Sequence, residues 1–144
     1  LLQELARHRH ASFSVKSTRY TLKELKEEDS FHDYAVNPAV TERAHKYIVQ
    51  SNIPLVDSMS ARALENLRGA LQSGISNDKV KYCLPEAYKT ELTLTINARS
   101  LQNLLSLRSA PSALWEFQDL AQAIYSALPT DHQYLFDDHI HTKE

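Results

Sequence analysis

The chain has 144 residues, of which 42% are hydrophobic and 24% are charged, with only two glycines. This composition excludes collagen-like, disordered and membrane-spanning chains, and it favours helix over sheet. Because the formal net charge is −2, no global field would draw the chain onto nucleic acid or anionic lipid, so any anion site must be local.

The first thirty residues predict two short helices joined by a loop and an extended segment. Leucines at helical spacing predict the last turns of a helix over residues 1–9, and we expect sequence upstream of Leu1 to be missing. A Ser-rich loop leading into an extended segment should follow over residues 10–20. Thr21 with Glu24 three residues later has the spacing of a capping box and predicts a short helix. Its charged remainder through Asp29 is predicted to be a solvated face.

The next segment predicts two amphipathic helices. Pro38 at a helix start, followed by spaced apolar residues, predicts a helix over residues 38–51. Apolar residues at spacings of three and four over residues 56–71 predict the longest helix, which should end at Gly74. Met59 lies within this pattern and is interpreted as a core residue.

The third quarter of the chain predicts a short helix and then a strand. Asn77 or Asp78 can cap a short helix that carries Lys81 and that Pro85 ends. Residues 88–96 alternate between apolar and polar side chains, which predicts a strand with one buried face.

The last quarter predicts two further long helices and a short one. Asn97 should cap the first, and Pro111 should open the second, which Pro129 ends. Residues 134–136 are expected to pack a final short helix. With no linker or low-complexity tract between these pieces, residues 1–144 are predicted to form one helix-rich α+β domain.

The stretch from Arg7 to Tyr20 is the first candidate anion site. It holds four basic side chains, two histidines and several hydroxyls within fourteen residues. Arginine forks and loop N–H groups suit a phosphate, although a surface basic stretch that binds nothing stays an alternative. His8 and His10 share a face only on a strand and have no third ligand nearby in sequence, so we expect no metal site.

A second candidate lies where the predicted strand runs into a helix, over residues 97–108. A helix N-terminus bearing Asn97 and Arg99 suits a phosphate or an electron-rich ring edge. The alternative is structural, with Asn97 as a cap only and Arg108 as a partner of the helix dipole only. The residues Asp137, Asp138, His139 and His141 are interpreted as a frayed, solvated tail rather than a metal site.

The two candidate sites come without an evident nucleophile. No Ser-His-Asp or Cys-His arrangement, P-loop or dinucleotide-binding glycine pattern is discernible. The single Cys83 excludes an internal disulfide, fits a reducing compartment and is predicted to be a half-buried structural thiol. Anion sites without a nucleophile are typical of an enzyme whose cofactor carries the chemistry.

The motifs resemble those of the flavin-dependent thymidylate synthases. Arg7, His8 and Arg9, followed after seven residues by Ser17, match the family signature RHR-x7-S. The match continues in order along most of the chain, through residues 17–20 (S-x-R-Y), 81–85 (a basic residue before Leu-Pro), 97–108 (NARSL-x-N-x-x-x-LR) and the pair Trp115-Glu116.

The resemblance implies a fold, a reaction and a set of partners. The fold would have long helices packed on a small, mostly antiparallel sheet, as in thymidylate synthase complementing proteins. The reaction would be the methylation of dUMP to dTMP, with methylenetetrahydrofolate as carbon donor, FAD as cofactor and NADPH as reductant, and no enzyme cysteine attacking the pyrimidine. The family forms homotetramers with shared active sites. Because no apolar run is long enough to span a bilayer and no signal-peptide pattern precedes the first charges, we expect a cytoplasmic enzyme. The net charge of −2 disfavours a nucleic-acid or membrane partner.

The resemblance also implies which residues contact each ligand. The residues expected to bind dUMP are Glu4, Arg7, Ser17, Thr18, Arg19, Lys81 and Arg108. Of these, Arg108 would reach the uracil ring and act catalytically by stabilising charge that develops on it. The residues expected to bind FAD are His8, Arg9, His10, Asn97, Arg99 and Asn103.

Three departures from the family pattern set limits on the resemblance. Val15 stands where many members carry Glu, so that carboxylate contact is absent or is moved to Gln3 or Glu4. Lys81 stands where many members have Arg, which keeps the charge but loses the bidentate fork. The family's N-terminal section has no counterpart in these residues, so a chain beginning at Leu1 is expected to have impaired or absent flavin binding and catalysis.

Two other classes of function stay open at this stage. A non-catalytic nucleotide- or flavin-binding module would keep the phosphate site without turnover. A helical nucleic-acid-binding domain would use the basic stretch that starts at Arg7, but the net charge and the lack of a wider basic stripe disfavour it.

Overall fold

A computed structural model describes residues 1–141 and shows a helix-rich chain with a small two-stranded antiparallel sheet. This confirms the predicted α+β class. The chain divides into two compact units. The first unit comprises Leu1–Ser14 and the described part of Thr93–Glu144, and the second comprises Val15–Leu92. The single domain expected over residues 1–144 stays a prediction.

The elements follow one another in short segments. In chain order they are α1 (Leu2–Leu5), β1 (Ala11–Val15), α2 (Thr18–Glu27), α3 (Pro38–Ala44), α4 (Pro54–Gln72), α5 (Asn77–Val80), a 3-10 turn (Lys81–Cys83), β2 (Leu92–Ile96), α6 (Ala98–Arg108), α7 (Trp115–Ala127), α8 (Thr130–Gln133) and a last 3-10 turn (Asp137–His139). Among residues 1–141, none of the helices combines the length and the apolar character that a membrane span needs.

The core of the second unit forms between α2 and α4. Both helices place leucines three or four residues apart, so that one face of each is apolar. The leucines buried in this core are Leu22 and Leu25 of α2 and Leu64, Leu67 and Leu71 of α4. Phe31, Tyr47 and Ile48 from the intervening loops pack against them.

A buried ion pair fixes the loop that follows α2. Glu65 and Arg68 of α4 form a two-point contact, with Nη2 to Oε1 at 2.6 Å and Nε to Oε2 at 2.9 Å. The same carboxylate accepts from the Phe31 amide at 2.9 Å, and Arg68 Nη1 donates to the Glu28 carbonyl at 3.2 Å. The backbone of the loop is therefore tied to charged side chains of α4.

The core of the first unit forms between α6 and α7. Its buried residues are Leu5 of α1, Leu101, Leu104 and Leu105 of α6, Phe117 and Ala121 of α7, and Phe136.

The predicted strand alternation is confirmed at Leu92, Leu94 and Ile96, which are half-buried while the residues between them are exposed.

Several predicted helix ends are confirmed. Asn97 caps α6 by accepting from the Ser100 amide at 2.9 Å. Pro38 begins α3, α4 ends at Gln72, and Gly74 adopts the left-handed φ of 89° that favours glycine at this position.

Other predicted boundaries are wrong, in most cases because another residue supplies the cap or a turn intervenes. Ser17, rather than Thr21, caps α2 by accepting from the Arg19 amide, and Thr21 lies inside the helix. Neither Asn77 nor Asp78 caps α5, since both lie within it.

The remaining boundary corrections follow from backbone pairing and turns. Helix α3 ends at Ala44 because the next turn brings Ile48 into an antiparallel bridge with Tyr88, so the region around residue 88 is a bridge and β2 begins at Leu92. Helix α7 begins at Trp115, and Pro111 lies in the turn that precedes it.

Four further predictions, two about single side chains and two about segments, are wrong or hold only in part. Met59 is 64% exposed, because it lies on the face of α4 opposite its buried leucines, and Cys83 is exposed at the end of its 3-10 turn. The segment over residues 137–141 is tied down rather than frayed, because His139 bonds the Ser106 hydroxyl at 3.1 Å and Tyr125 donates to Asp137 at 2.6 Å. The charged stretch after Thr21 is solvated only in part, since Glu28 accepts from Tyr47 at 2.8 Å.

Candidate functional site

The Arg108 side chain is the centre of the best-defined polar cluster in the first unit. It leaves the last turn of α6, and its Nη1 donates to Glu4 Oε2 at 2.6 Å. Its Nη2 donates to the Glu4 carbonyl at 3.4 Å, and its Nε donates to His8 Nε2 at 3.2 Å. Helix α1 and the turn that follows it therefore present three acceptors to one guanidinium group.

Phe117 of α7 lies beneath this guanidinium. The Arg108 Cζ atom is 4.8 Å from the centroid of the Phe117 ring, within the range of a cation–π contact. The His8 ring also packs on Phe117, with the centroids 6.4 Å apart and the rings tilted by 53°. Because Phe117 has no exposed surface, the ring is a fixed support for both polar side chains.

Arg108 keeps hydrogen-bonding capacity that the folded chain does not use. A guanidinium has five N–H donors. Within residues 1–141 three of the five are bonded, which leaves one donor on Nη1 and one on Nη2. The side chains of Arg108 and Glu4 are 20% and 37% exposed, so a ligand from solvent can reach the pair.

The state of His8 follows from its contacts. Its Nε2 atom accepts from Arg108, so the proton of the neutral ring must lie on Nδ1. Burial lowers the pKa of His8 below its ordinary value, and the positive charge of Arg108 lowers it further. A neutral His8 therefore offers one N–H donor for a ligand.

The other expected flavin-binding residues of the first unit are exposed. Arg99 and Asn103 lie one turn apart on α6, so they share a face of that helix. Asn97 precedes them, and its side-chain oxygen is engaged in capping. Arg9 and His10 lie exposed in the turn between α1 and β1.

Arg7 of the expected dUMP set lies close in the chain to the Arg108 cluster. Its side chain is exposed, and its amide donates to the Glu4 carbonyl at 3.2 Å. The first unit thus brings Glu4, His8 and Arg108 into direct contact, with Arg7 and Arg9 on either side of His8 in the chain.

The second unit places the remaining expected dUMP residues at the start of α2 and after α5. Ser17 and Arg19 are exposed, and Thr18 is half-buried with its carbonyl accepting from Thr21 at 3.1 Å. The Arg19 Nη2 atom lies 3.7 Å from Asp78 Oδ1 of α5 in an exposed ion pair. Lys81 follows α5, is exposed and has its ammonium 5.5 Å from the Tyr82 ring centroid.

Two residues of these clusters were not predicted as site residues. Phe117 lies in the apolar stripe of the last long helix, a pattern that indicates a core residue, and Asp78 was predicted only as a possible cap. The sequence signal for Phe117 was its position directly after the Trp115-Glu116 pair, but spacing alone does not indicate a ring under a guanidinium. Among residues 1–141, no group of three or more His, Cys, Asp or Glu could hold a metal ion.

Comparison with known proteins gives consistent matches. The model of the family described as thymidylate synthase complementing protein matches residues 1–130. The flavin-dependent thymidylate synthase of Wolinella succinogenes is 60% identical over 94% of this chain and 64% of its own length. That of Campylobacter jejuni is 58% identical over 97% of this chain and 65% of its own length. The chain thus spans slightly less than two-thirds of these curated relatives.

A solved structure is similar along most of the chain. The flavin-dependent thymidylate synthase of Helicobacter pylori, complexed with FAD and dUMP, is similar with a TM-score of 0.91 at 55% sequence identity. The similarity covers 97% of this chain and 67% of that one.

Proposed function

The chain belongs to the thymidylate synthase complementing protein family, the family of the flavin-dependent thymidylate synthases, and we propose that it serves in the methylation of dUMP to dTMP. Methylenetetrahydrofolate would supply the carbon, and FAD reduced by NADPH would supply the reducing equivalents. The observation that carries the proposal is the similarity to the Helicobacter pylori structure complexed with FAD and dUMP.

The dUMP-binding residues in this proposal divide by the part of the nucleotide that they contact. Arg7, Arg19 and Lys81 are exposed cations suited to the phosphate. Ser17 contributes a hydroxyl, and Thr18 lies beside it at the start of α2. Arg108 would meet the uracil ring through its two unused N–H donors, and Glu4 belongs to this set through its contact with Arg108.

The residues proposed for FAD have the donors that this cofactor requires. Arg9 and Arg99 are exposed cations suited to its pyrophosphate, and Asn97 and Asn103 lie near Arg99 on or beside α6. His8 offers its Nδ1–H, and His10 is exposed in the same turn as Arg9. When bound, FAD would supply the redox chemistry of the reaction.

Arg108 is the proposed catalytic residue because it can stabilise charge in the reacting ring. A guanidinium that donates two hydrogen bonds to the uracil would stabilise negative charge developing on the ring oxygens. The Glu4 and Phe117 contacts fix this group in advance, so little reorganisation is needed when charge develops.

The surroundings of Ser17 and Cys83 argue against nucleophilic catalysis by the chain itself. The Ser17 hydroxyl oxygen accepts from the Arg19 amide and has no His within hydrogen-bond distance among the described contacts. Cys83 is exposed at the end of a 3-10 turn, so burial does not hold its thiol in one position. In this proposal Ser17 binds the nucleotide and Cys83 takes no part.

Two departures from the family pattern can be assessed against the structure. Val15 is 43% exposed at the end of β1 and supplies no carboxylate, whereas the Glu4 carboxylate is bound to Arg108. Lys81 has no carboxylate partner among the described ion pairs, so its ammonium is free to bind a phosphate as a point charge.

Assembly into a homotetramer with shared active sites is also part of the proposal. Exposed apolar side chains support it, because large apolar groups on helix surfaces favour burial against another subunit. Those of the second unit include Ile53, Leu55, Val56 and Met59, and those of the first include Leu107, Leu114 and Trp115. The expected single domain would then be the C-terminal part of each subunit.

The test of the proposal is formation of dTMP from dUMP, followed by chromatography of the nucleotides. The reaction would contain the full-length protein that includes this chain, FAD, NADPH and methylenetetrahydrofolate, with omission of each component as a control. We expect dTMP only in the complete mixture. Binding of FAD and dUMP without turnover would instead support a non-catalytic nucleotide- and flavin-binding module, and binding of neither would contradict the proposal.

A further inference from the structure

We propose that Glu4 and Phe117 are positioning residues, which hold the Arg108 guanidinium so that two of its N–H donors stay available for the uracil ring. The inference rests on the proposed function and deepens it. It gives Glu4 a role that acts through Arg108, in place of direct contact with the nucleotide, and it gives a role to Phe117, which no sequence motif indicated.

The first argument is that Arg108 is restrained from three directions. The Glu4 carboxylate holds Nη1 at 2.6 Å, His8 holds Nε at 3.2 Å, and the Phe117 ring lies 4.8 Å from Cζ. An arginine side chain loses much rotamer freedom when it is fixed on a ligand. Because the folded chain has already fixed this one, ligand binding meets a smaller entropic cost.

The second argument concerns the plane of the guanidinium. A planar guanidinium stacks on an aromatic face, whereas an aliphatic side chain offers no preferred orientation. Phe117 is fully buried, and Ala121, one turn later on α7, is fully buried as well. Because the buried Phe117 ring cannot rotate together with the guanidinium, the ring defines the plane in which Arg108 presents its remaining donors.

The third argument concerns charge. The Glu4 carboxylate neutralises Arg108, so a phosphate dianion would meet a carboxylate as well as a guanidinium at this place. The neutral uracil ring has polar edges without that repulsion. Glu4 thereby directs the ring, rather than the phosphate, to Arg108 and leaves the phosphate to the exposed cations.

The first experiment compares dUMP with 2-deoxyribose 5-phosphate, which has the phosphate but no uracil. Both ligands would be titrated calorimetrically into the FAD-loaded full chain and its Phe117→Leu variant, which keeps an apolar side chain but loses the aromatic face. We expect about fivefold weaker binding of dUMP and an unchanged affinity for 2-deoxyribose 5-phosphate. Phe136→Leu is the matched control, since it makes the same change at another buried position of the same unit and should leave the affinity ratio unchanged.

The second experiment makes the same comparison in Glu4→Gln, which removes the charge and keeps an oxygen acceptor. We expect about tenfold weaker binding of dUMP, with 2-deoxyribose 5-phosphate bound as well as by the wild type or more tightly. Glu91→Gln is the control, because it removes the same charge from the exposed pair with Lys16 and should leave the affinities for both ligands unchanged.

The outcomes separate this inference from the proposed function. A wild-type chain that binds neither ligand would contradict the proposed function and, with it, the inference. A wild-type chain that binds dUMP, with Phe117→Leu and Glu4→Gln variants that bind it equally well, would overturn the inference alone. Equal weakening of both ligands by these variants would likewise overturn it, because the residues would then be supporting the fold in general.

Discussion

Both units contain Arg–Glu pairs, and the pair Glu65–Arg68 of the second unit differs from the pair Glu4–Arg108 of the first in how much of it the protein itself covers. In the second unit, Glu65 and Arg68 are each about 10% exposed in their side chains and meet at two points. In the first unit, Glu4 and Arg108 meet through one carboxylate oxygen, and their side chains are 37% and 20% exposed.

The same kind of ion pair can serve two purposes. Both oxygens of Glu65 are used by the chain, and the pair anchors the loop at Phe31. Arg108 instead rests on an aromatic ring and keeps two donors in a position that solvent reaches. A covered pair such as Glu65–Arg68 stabilises the fold, whereas a half-open pair such as Glu4–Arg108 can also recognise a ligand. The predictions below separate the two purposes.

The largest expected effect is on stability, from loss of the covered pair. Glu65→Ala leaves Arg68 without its main partner in a buried place, and we expect the free energy of unfolding to fall by about 3 kcal/mol. Urea unfolding followed by circular dichroism would measure it. Glu91→Ala, in the exposed pair with Lys16, should change stability by less than about 1 kcal/mol. Equal effects of the two variants would contradict the distinction between covered and open pairs.

The next effect is on ligand binding, from loss of the half-open pair. Arg108→Gln removes the charged donors proposed for uracil, and we expect dUMP to bind about 10- to 100-fold more weakly. The free energy of unfolding should change by about 1 kcal/mol or less, because the pair is partly solvated. Calorimetric titration and urea unfolding would measure the two quantities. A large loss of stability with unchanged dUMP affinity would reverse the roles assigned to the two pairs.

A smaller effect is expected from two helix caps, one in each unit. Asn97 caps α6 and Asn37 caps α3, and replacing either by Ala should lower the free energy of unfolding by about 1 kcal/mol. Only Asn97→Ala should also weaken FAD binding, measured by quenching of flavin fluorescence on titration. If both variants left FAD binding unchanged, Asn97 would be a cap alone.

The smallest effect concerns pH and the first unit. Burial, and then Arg108, lowers the pKa of His8 below its ordinary value of 6.5. The unfolded chain therefore takes up this proton at a higher pH than the folded chain, so stability should fall as pH decreases below about 6.5, until the folded pKa is passed. In His8→Gln this decline should be shallower. Some decline should persist, because burial and Lys89 also lower the pKa of His45 in the second unit.

The covered pair should respond in a different pH range. The hydrogen bond from Arg68 is the main cause that lowers the pKa of Glu65 below its ordinary value of 4.5. Its contribution to stability is therefore complete above about 4.5 and is lost as pH falls through the lowered folded pKa. Urea unfolding between pH 7 and pH 3 would separate the two ranges. A Glu65→Gln variant with the same acid limb as the wild type would contradict this assignment.

The sequence predicted the fold class and those elements whose signals are local. Asn97 and Pro38 act within one helical turn of their own positions, and their roles are confirmed. Boundaries that depend on distant partners were missed. The end of α3 at Ala44 follows from the bridge between Ile48 and Tyr88, which no local pattern encodes.

For the candidate site, sequence motifs indicated the residues but not their contacts. The family signature led to Arg108 and His8, and the structure adds that they bond to one another at 3.2 Å. Phe117 could not be singled out, because buried aromatic residues on helix stripes are usually core residues. Met59 shows the same limit in reverse, since its spacing suggested the core and its side chain is 64% exposed.

The central claim is that the full-length protein that contains this chain binds FAD and dUMP together, and the visible absorption spectrum of the flavin tests it most directly. That protein would be purified, supplied with FAD, freed of unbound cofactor and titrated with dUMP. The account predicts a yellow protein whose flavin spectrum changes on addition of dUMP and does not change in this way in Arg108→Gln. A full-length protein that retains no flavin, or whose flavin spectrum does not respond to dUMP, would contradict it.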